Sequence, residues 1–199
     1  MNNILVFDTE TNGKAKNFKA PMTDLNNWPR ITQLAYQLYD RQGVLIKSFQ
    51  SIIKPDGWTV PVEPFFIENN MSTERCEAEG ILFTEVCDTF LEDFSSASIL
   101  VAHNVPFDKN VLGAELMRYQ LKPVQKKYAW ICTMSESTQY CQLPGRYGDF
   151  KWPSLIELYT ILFEKDFSGA HDAMVDVSAC AESFFELVKR GVIVLPQEI

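Results

Sequence analysis

Two carboxylates stand two residues apart where an apolar run ends, in Ile4-Leu5-Val6-Phe7-Asp8-Thr9-Glu10-Thr11. Strand side chains alternate with a period of two, so Asp8 and Glu10 point to one side of a sheet. Anions placed so close repel, and a hard cation relieves the repulsion: magnesium prefers oxygen ligands and is bound by one or two carboxylates plus substrate phosphates. The triplet alone reads better as a solvated strand end before the turn Asn12-Gly13, since composition yields about half an Asp-x-Glu per chain of this size by chance.

Two further groups alter that balance. His103-Asn104-Val105-Pro106-Phe107-Asp108 follows the apolar stretch Ile99–Ala102. Pro106 suits the first turn of a helix, which places Asp108 near the positive end of the helix dipole, where a carboxylate is favoured. His171-Asp172-Ala173-Met174-Val175-Asp176 opens the last periodic segment, with Asp172 as N-cap. A histidine with an ordinary pKa near 6.5 can take a proton from water at neutral pH, and clustered carboxylates can hold a hard cation, so metal-assisted acid–base chemistry is within reach of these residues.

The elements that must position these side chains follow from periodicity. Ile4–Phe7 reads as a central strand buried on both faces, ending where the carboxylates begin. A segment rich in Lys, Asn and Pro then runs to Pro29 as a loop near the Asp8 end of the sheet. Ile31–Tyr39 and Val44–Ile53, about a turn at Asp40–Gly43, form a hairpin. Pro55, Gly57, Pro61 and Pro64 exclude a regular element around them. Thr84–Phe94 is a helix, with Thr84 as N-cap, followed by a strand at Ile99–Ala102 and a helix striped by Val111, Leu112, Leu116 and Tyr119. Tyr128–Cys132 is another short strand. Capping-box spacing at Thr133-Met134-Ser135-Glu136 and at Ser154-Leu155-Ile156-Glu157 starts two more helices. The last helix runs from about Asp172 to Arg190, with Gly191 past its end. A hairpin followed by alternating strands and helices implies an α/β fold with a mixed central sheet flanked by helices.

At 199 residues and 46% hydrophobic content the chain reads as one domain, 1–199, with a real core. The sequence has no bilayer-length apolar run and no signal-peptide pattern, so a cytoplasmic protein without a membrane partner is expected. Five cysteines without a Cys-x-x-Cys pair point to reduced thiols rather than a disulfide framework or zinc knuckle. The net charge of −8 opposes a polyanionic partner, but the charge is uneven. Acids crowd Asp56–Asp93, whereas Lys14, Lys16 and Lys19 follow the opening strand, and Arg118, Lys122, Lys126 and Lys127 form a second basic group. One phosphate-facing side fits that asymmetry.

Taken together and in order, these segments resemble the DEDDh family of 3'-to-5' exonucleases, the DnaQ-like group with a ribonuclease H-like fold. Asp8-Thr9-Glu10-Thr11 looks like its first motif, His103-Asn104-x-x-Phe107-Asp108 its second and His171-x-x-x-x-Asp176 its third. The second is the specific one, at about 4 × 10⁻⁴ by composition. The resemblance implies two Mg²⁺ or Mn²⁺ ions held by Asp8, Glu10, Asp108 and Asp176, with His171 as general base. Such ions, about 3.5 to 4 Å apart, clamp the attacking and leaving oxygens of the phosphodiester. His171 stands where a sister group has tyrosine. Thr9, Thr11 and Asn104 are expected near the terminal nucleotide, although Asn104 is also placed to cap the following helix. Lys14, Lys16 and Lys19 are expected along the substrate path. Phe107 reads as packed core, while Phe18, Trp28 and Tyr147–Trp152 stay open between base stacking and core.

The expected activity is metal-dependent hydrolysis from the 3' end of single-stranded DNA, releasing nucleoside 5'-monophosphates. The alternatives are a 3'-5' exoribonuclease or oligoribonuclease, and a non-catalytic nucleic-acid-binding or assembly module. Candidate partners are nucleic-acid 3' ends, a polymerase or another replication protein, and a second copy of the chain in a homodimer.

Overall fold

A computed structural model of the chain describes residues 3–121, 128–165 and 172–196. Five strands, β1 (Asn3–Thr11), β2 (Ile31–Tyr39), β3 (Leu45–Ile52), β4 (Ala97–Ala102) and β5 (Ala129–Cys132), form one sheet in the order β3-β2-β1-β4-β5. The β1–β2 and β2–β3 pairs are antiparallel, whereas β1–β4 and β4–β5 are parallel. This is the expected mixed sheet. Its helices are α1 (Pro64–Glu68), α2 (Thr73–Glu79), α3 (Phe83–Ser96), α4 (Val105–Arg118), α5 (Thr133–Glu136), α6 (Thr138–Cys141), α7 (Leu155–Phe163) and α8 (Ala173–Lys189).

Alternation along β1 divides the core. Leu5 and Phe7 join Phe83, Phe90, Val111 and Leu112 on the α3/α4 side. Ile4 and Val6 join Leu158, Val177, Cys180 and Phe184 on the α7/α8 side. Each helical layer thereby buries an apolar stripe on one face of the same sheet.

β1 is longer than the apolar run implied. Its antiparallel pairing with β2 continues to Thr11↔Ile31, while the parallel pairing with β4 stops at Val6↔Val101. Asp8 and Glu10 therefore lie within a strand rather than at its exit, on a stretch that outruns its neighbour. Charged residues tolerate that position because the gap beyond β4 is open to the cleft described below.

Several helix starts depart from the local signals. α3 begins at Phe83 with Leu82 as N-cap, so Thr84 lies inside it. At α5 the capping box does not form: Cys132 is the N-cap and no side chain caps it. The box at α7 does form, the Ser154 hydroxyl accepting from Glu157 N–H and the Glu157 carboxylate from Ser154 N–H. Pro64 does not exclude a regular element but opens α1, in the first turn where its missing N–H costs nothing, and α2 and α6 went unanticipated because seven and four residues hold too little periodicity to read. α8 matches expectation, with Asp172 as N-cap and Gly191 at φ +73° just beyond Arg190.

Candidate active site

A cleft of about 380 Å³ opens over the free end of β1. It is lined by Asp8, Thr9 and Glu10 from β1, by His103, Asn104, Phe107 and Asp108 from the β4–α4 turn, by Ser154, Leu155 and Ile156 at the start of α7, and by Asp176 of α8. Ligand oxygens of Asp8, Glu10 and Asp176 all lie within 4.8 Å of one another. Asp8 and Glu10 share a face because they are two apart on a strand, and that face meets α8.

Asp108 lines the same cleft from the opposite layer but stands outside that group of three, and it comes in where β4 has ended. Its Oδ1 accepts the Thr9 backbone N–H at 3.2 Å and the Thr9 hydroxyl at 2.8 Å. The carboxylate thus serves a strand N–H that no strand pairs with on the β4 side. Thr9 and Asp108 are only 5% and 2% exposed.

The electrostatics are those of crowded anions. Burial, reinforced by Asp108, Glu10, Asp176 and Asp172, holds Asp8 well above the usual carboxylate range. Burial and then Asp176, Asp108 and Asp172 push Glu10 up to about 7. Burial also lifts Asp108 to about 7, against the lowering effect of its bonds from Thr9. Without a cation this cluster favours protons. A set of oxygen-only donors at mutual distances below 5 Å is what a hard divalent ion takes, so the residues fit one.

His103 has a different part from the acids that surround its motif. Its Nε2 lies 3.1 Å from the Pro153 carbonyl, which only accepts, so that nitrogen carries the proton and Nδ1 accepts from the Thr133 hydroxyl at 2.9 Å. Burial pushes its pKa down to about 4, with the Pro153 bond opposing. A neutral imidazole therefore ties the end of β4 to α5 and to the residue before Ser154. The capping box of α5 is missing because the helix starts one residue earlier than its spacing implies, with Cys132 as N-cap and Thr133 as the first helical residue. The Ser154–Ile156 wall was not anticipated as part of the site; its capping box marked a helix start, and nothing local showed that the start faces the cleft.

The remaining expected residues divide. His171 lies outside the described residues, as do Lys122, Lys126 and Lys127. Asn104 has φ +81° and makes no capping bond with its side chain; its left-handed backbone, tolerated by asparagine, turns the chain from β4 into α4 at the cleft wall. The Thr9 and Thr11 hydroxyls donate within the protein, to Asp108 and to the Gly13 carbonyl at 2.7 Å. Their hydroxyl hydrogens are thus committed, and only the oxygens remain free to accept. Asp172 caps α8 as read, accepting from Met174 N–H and Val175 N–H.

Lys14, Lys16 and Lys19 are exposed on a loop that folds back beside the cleft. Asn12 N–H donates to Arg30 O and Arg30 N–H to Asn12 Oδ1, at 3.0 and 2.8 Å, closing the loop. Its outer part is pinned to α4, where Met22 packs so tightly on Gly113 that an added Cβ would meet its sulfur at 2.7 Å. Trp28, 3% exposed and donating to Pro21 O, is core. Phe18 is 61% exposed, with its ring 6.2 Å from that of Phe107, which packs against the core as read and also lines the cleft. Arg118 is not a free phosphate contact: it pairs with the buried Glu115 and donates to the carbonyls of Leu25, Trp28 and Pro29. Its charge serves the loop from beneath.

A family model, RNase_T, described as Exonuclease, matches residues 5–184. The DNA polymerase III subunit epsilon of Treponema pallidum is 27% identical over 183 residues, covering 92% of this chain and 74% of the relative. Among solved structures, E. coli exonuclease I in complex with a dT13 oligonucleotide is 21% identical with a TM-score of 0.72, covering 95% of this chain and 41% of that one. Exonuclease I from Methylocaldum szegediense is 20% identical with a TM-score of 0.74, covering 96% and 41%. The chain thus spans about two-fifths of the length of these exonuclease I structures, and the likeness establishes the fold, which is the ribonuclease H-like one. Among the described residues, no helix is long and apolar enough to cross a membrane.

Proposed function

Because this chain belongs to the RNase_T exonuclease family, we propose that it removes nucleotides from the 3' end of single-stranded DNA as nucleoside 5'-monophosphates, using divalent metal held by Asp8, Glu10, Asp108 and Asp176 and His171 as general base. The observation that carries this reading is the approach of Asp8, Glu10 and Asp176 within 4.8 Å at the floor of the cleft. Two Mg²⁺ or Mn²⁺ ions per site would neutralise the phosphate and stabilise charge on the attacking and leaving oxygens.

The chain's own residues account for the rest. Thr9 fixes Asp108 by two bonds to Oδ1, leaving Oδ2 as the atom through which Asp108 would reach a cation. His171 adjoins Asp172 in the chain and, as an imidazole, takes the proton of the attacking water. A cleft of about 380 Å³ is within the range of small-ligand pockets, which suits one terminal nucleotide. Phe107, Leu155 and Ile156 supply apolar surface for its sugar and base. With both apolar clusters on the one sheet, residues 1–199 are read as a single exonuclease domain. The DNA preference leans on the polymerase-subunit relative, which also makes a polymerase or other replication protein the partner to look for.

Oligonucleotides of single-stranded DNA, duplex DNA and RNA, labelled at each end in turn, test the proposal. Mononucleotides with a 5'-phosphate should appear from the 3' end of single-stranded DNA and vanish in excess chelator. Faster digestion of RNA would move the substrate to the exoribonuclease reading. Products bearing 3'-phosphates, or full activity in chelator, would end the metal-dependent 3'-5' reading altogether.

A further inference from the structure

We propose that Gln33, supported by Gln50, is a positioning residue that registers the metal-binding face of α8 against that of β1; this rests on the metal reading above. The three carboxylates that come within 4.8 Å belong to two elements, Asp8 and Glu10 to β1 and Asp176 to α8. The spacing of the first two is fixed by one strand. That of Asp176 depends on where α8 starts and how it is rotated, since each residue turns the helix by about 100°.

Gln33 sits at the point where both can be controlled. It is the cross-strand partner of Glu10 in β2, so the two side chains rise on the same face, and it is 3% exposed. Its Oε1 accepts the Ala173 N–H at 3.2 Å. A backbone N–H only donates, so this bond fixes the amide orientation and turns Nε2 toward Asp172 Oδ2 at 3.5 Å. From β3, Gln50 Nε2 lies 3.2 Å from both Asp172 oxygens. Asp172 in turn accepts Met174 N–H and Val175 N–H through Oδ1, and Asp176 N–H through its carbonyl at 3.0 Å.

All four leading N–H groups of α8 are therefore taken, the first by the sheet and the next three by Asp172. The Gln33 bond satisfies a buried N–H and so stabilises the helix start, but the bonds to Asp172 go beyond that need. The Asp172 cap is complete without Gln33, and Val177, Cys180 and Phe184 already bury the helix. What the glutamine adds is a direct link from the residue opposite Glu10 to the turn that ends in Asp176.

The test is Mn²⁺ titration of the full chain by calorimetry, without nucleic acid, alongside melting of the metal-free protein. Gln33→Met, which keeps length and loses both bonds, should bind Mn²⁺ about tenfold more weakly, the scale typical of groups that orient metal ligands. In an Asp176→Asn background the same change should weaken binding less than twofold, because its effect passes through Asp176. Gln50→Met, at an exposed strand position, should weaken Mn²⁺ binding by about threefold with metal-free melting unchanged, and covers the case in which Gln33→Met does not fold. Wild-type affinity in the glutamine variants, or an undiminished loss in the Asp176→Asn background, would overturn the inference alone. Absence of Mn²⁺ binding by the wild-type chain, or equal binding by Asp8→Asn, would instead remove the metal reading and this inference with it.

Discussion

One carboxylate oxygen of Asp108 collects both the backbone N–H and the hydroxyl of Thr9, at 3.2 and 2.8 Å, across the gap left where β4 stops. The bond joins a strand residue to a helix residue 99 positions later and holds an acid whose burial favours its neutral form.

Thr9→Val keeps the strand and the side-chain shape but deletes the shorter bond. Both Thr9 bonds favour the charged carboxylate, so their partial loss should raise the Asp108 pKa further. The acid limb of the rate profile should move to higher pH, and activity at neutral pH should fall about tenfold, equivalent to about 1.4 kcal/mol for a bond to a charged group. A pH–rate profile superimposable on the wild type would show that the hydroxyl does not hold Asp108 for catalysis.

Metal-free stability should fall as the pH rises. Glu10 and Asp108 both sit near 7 when folded, above their ordinary values, so the folded protein binds protons that the unfolded chain has released. Their contribution is full below about pH 4 and lost by the time the pH passes about 7. His103, lowered to about 4, works in the opposite sense, its contribution being lost as the pH drops below about 6.5. The informative comparison is therefore with Glu10→Gln, whose melting temperature should decline less between about pH 5 and pH 8 in chelator. At a hundredfold excess over its dissociation constant at pH 8, Mg²⁺ should add about 2.7 kcal/mol for one site, and the same concentration should add less at pH 5. Parallel melting curves for the two proteins would place the linkage elsewhere.

His171→Ala should lower turnover by roughly 10² to 10⁴ fold while metal and oligonucleotide still bind, as removal of a general base does. Asp8→Ala should weaken metal binding instead. Single-turnover rates with parallel binding isotherms separate the two. Near-normal turnover of the histidine variant at neutral pH would assign the base to another group.

Replacing Lys14, Lys16 and Lys19 together by glutamine should weaken single-strand binding and flatten its salt dependence by up to about two units, from roughly 0.7 per phosphate contact. Hydrolysis of a very short oligonucleotide, held at its 3' end, should change far less. The expectation is firmer for this loop than for the Arg118 side, since Phe18 brings the loop against Phe107 at the cleft while Arg118 is occupied by Glu115 and three carbonyls. An unaltered salt slope in the triple variant would make these lysines a solvated surface.

Much of this was legible without coordinates wherever the cause is local. The period of two along β1 puts Asp8 and Glu10 on one face whatever surrounds them, and Asp172, Ser154 and Gly191 act at helix ends through bonds to residues within a few positions. The hairpin, the two parallel strands and the order of helices follow from patterns within single segments. Where a local signal failed, the element boundary had moved: α5 starts directly from the end of β5 with Cys132 as N-cap, so Thr133 lies inside the helix, its hydroxyl donating to His103 30 residues away.

The site as a working geometry belongs to the tertiary structure. The apolar pattern ends β4 at Ala102, but nothing local predicts that β1 runs on to Thr11, and that mismatch in strand length lets Asp108 come round from the α4 layer to bond Thr9 beside the acids of β1. Nor does composition distinguish Gln33, which holds the start of α8, from any other strand glutamine, or Arg118 from a free surface cation. Motif order could name the acids because their chemistry is written in residue type. Their distances could not be read, because each depends on where two elements separated by about a hundred residues end against a shared strand.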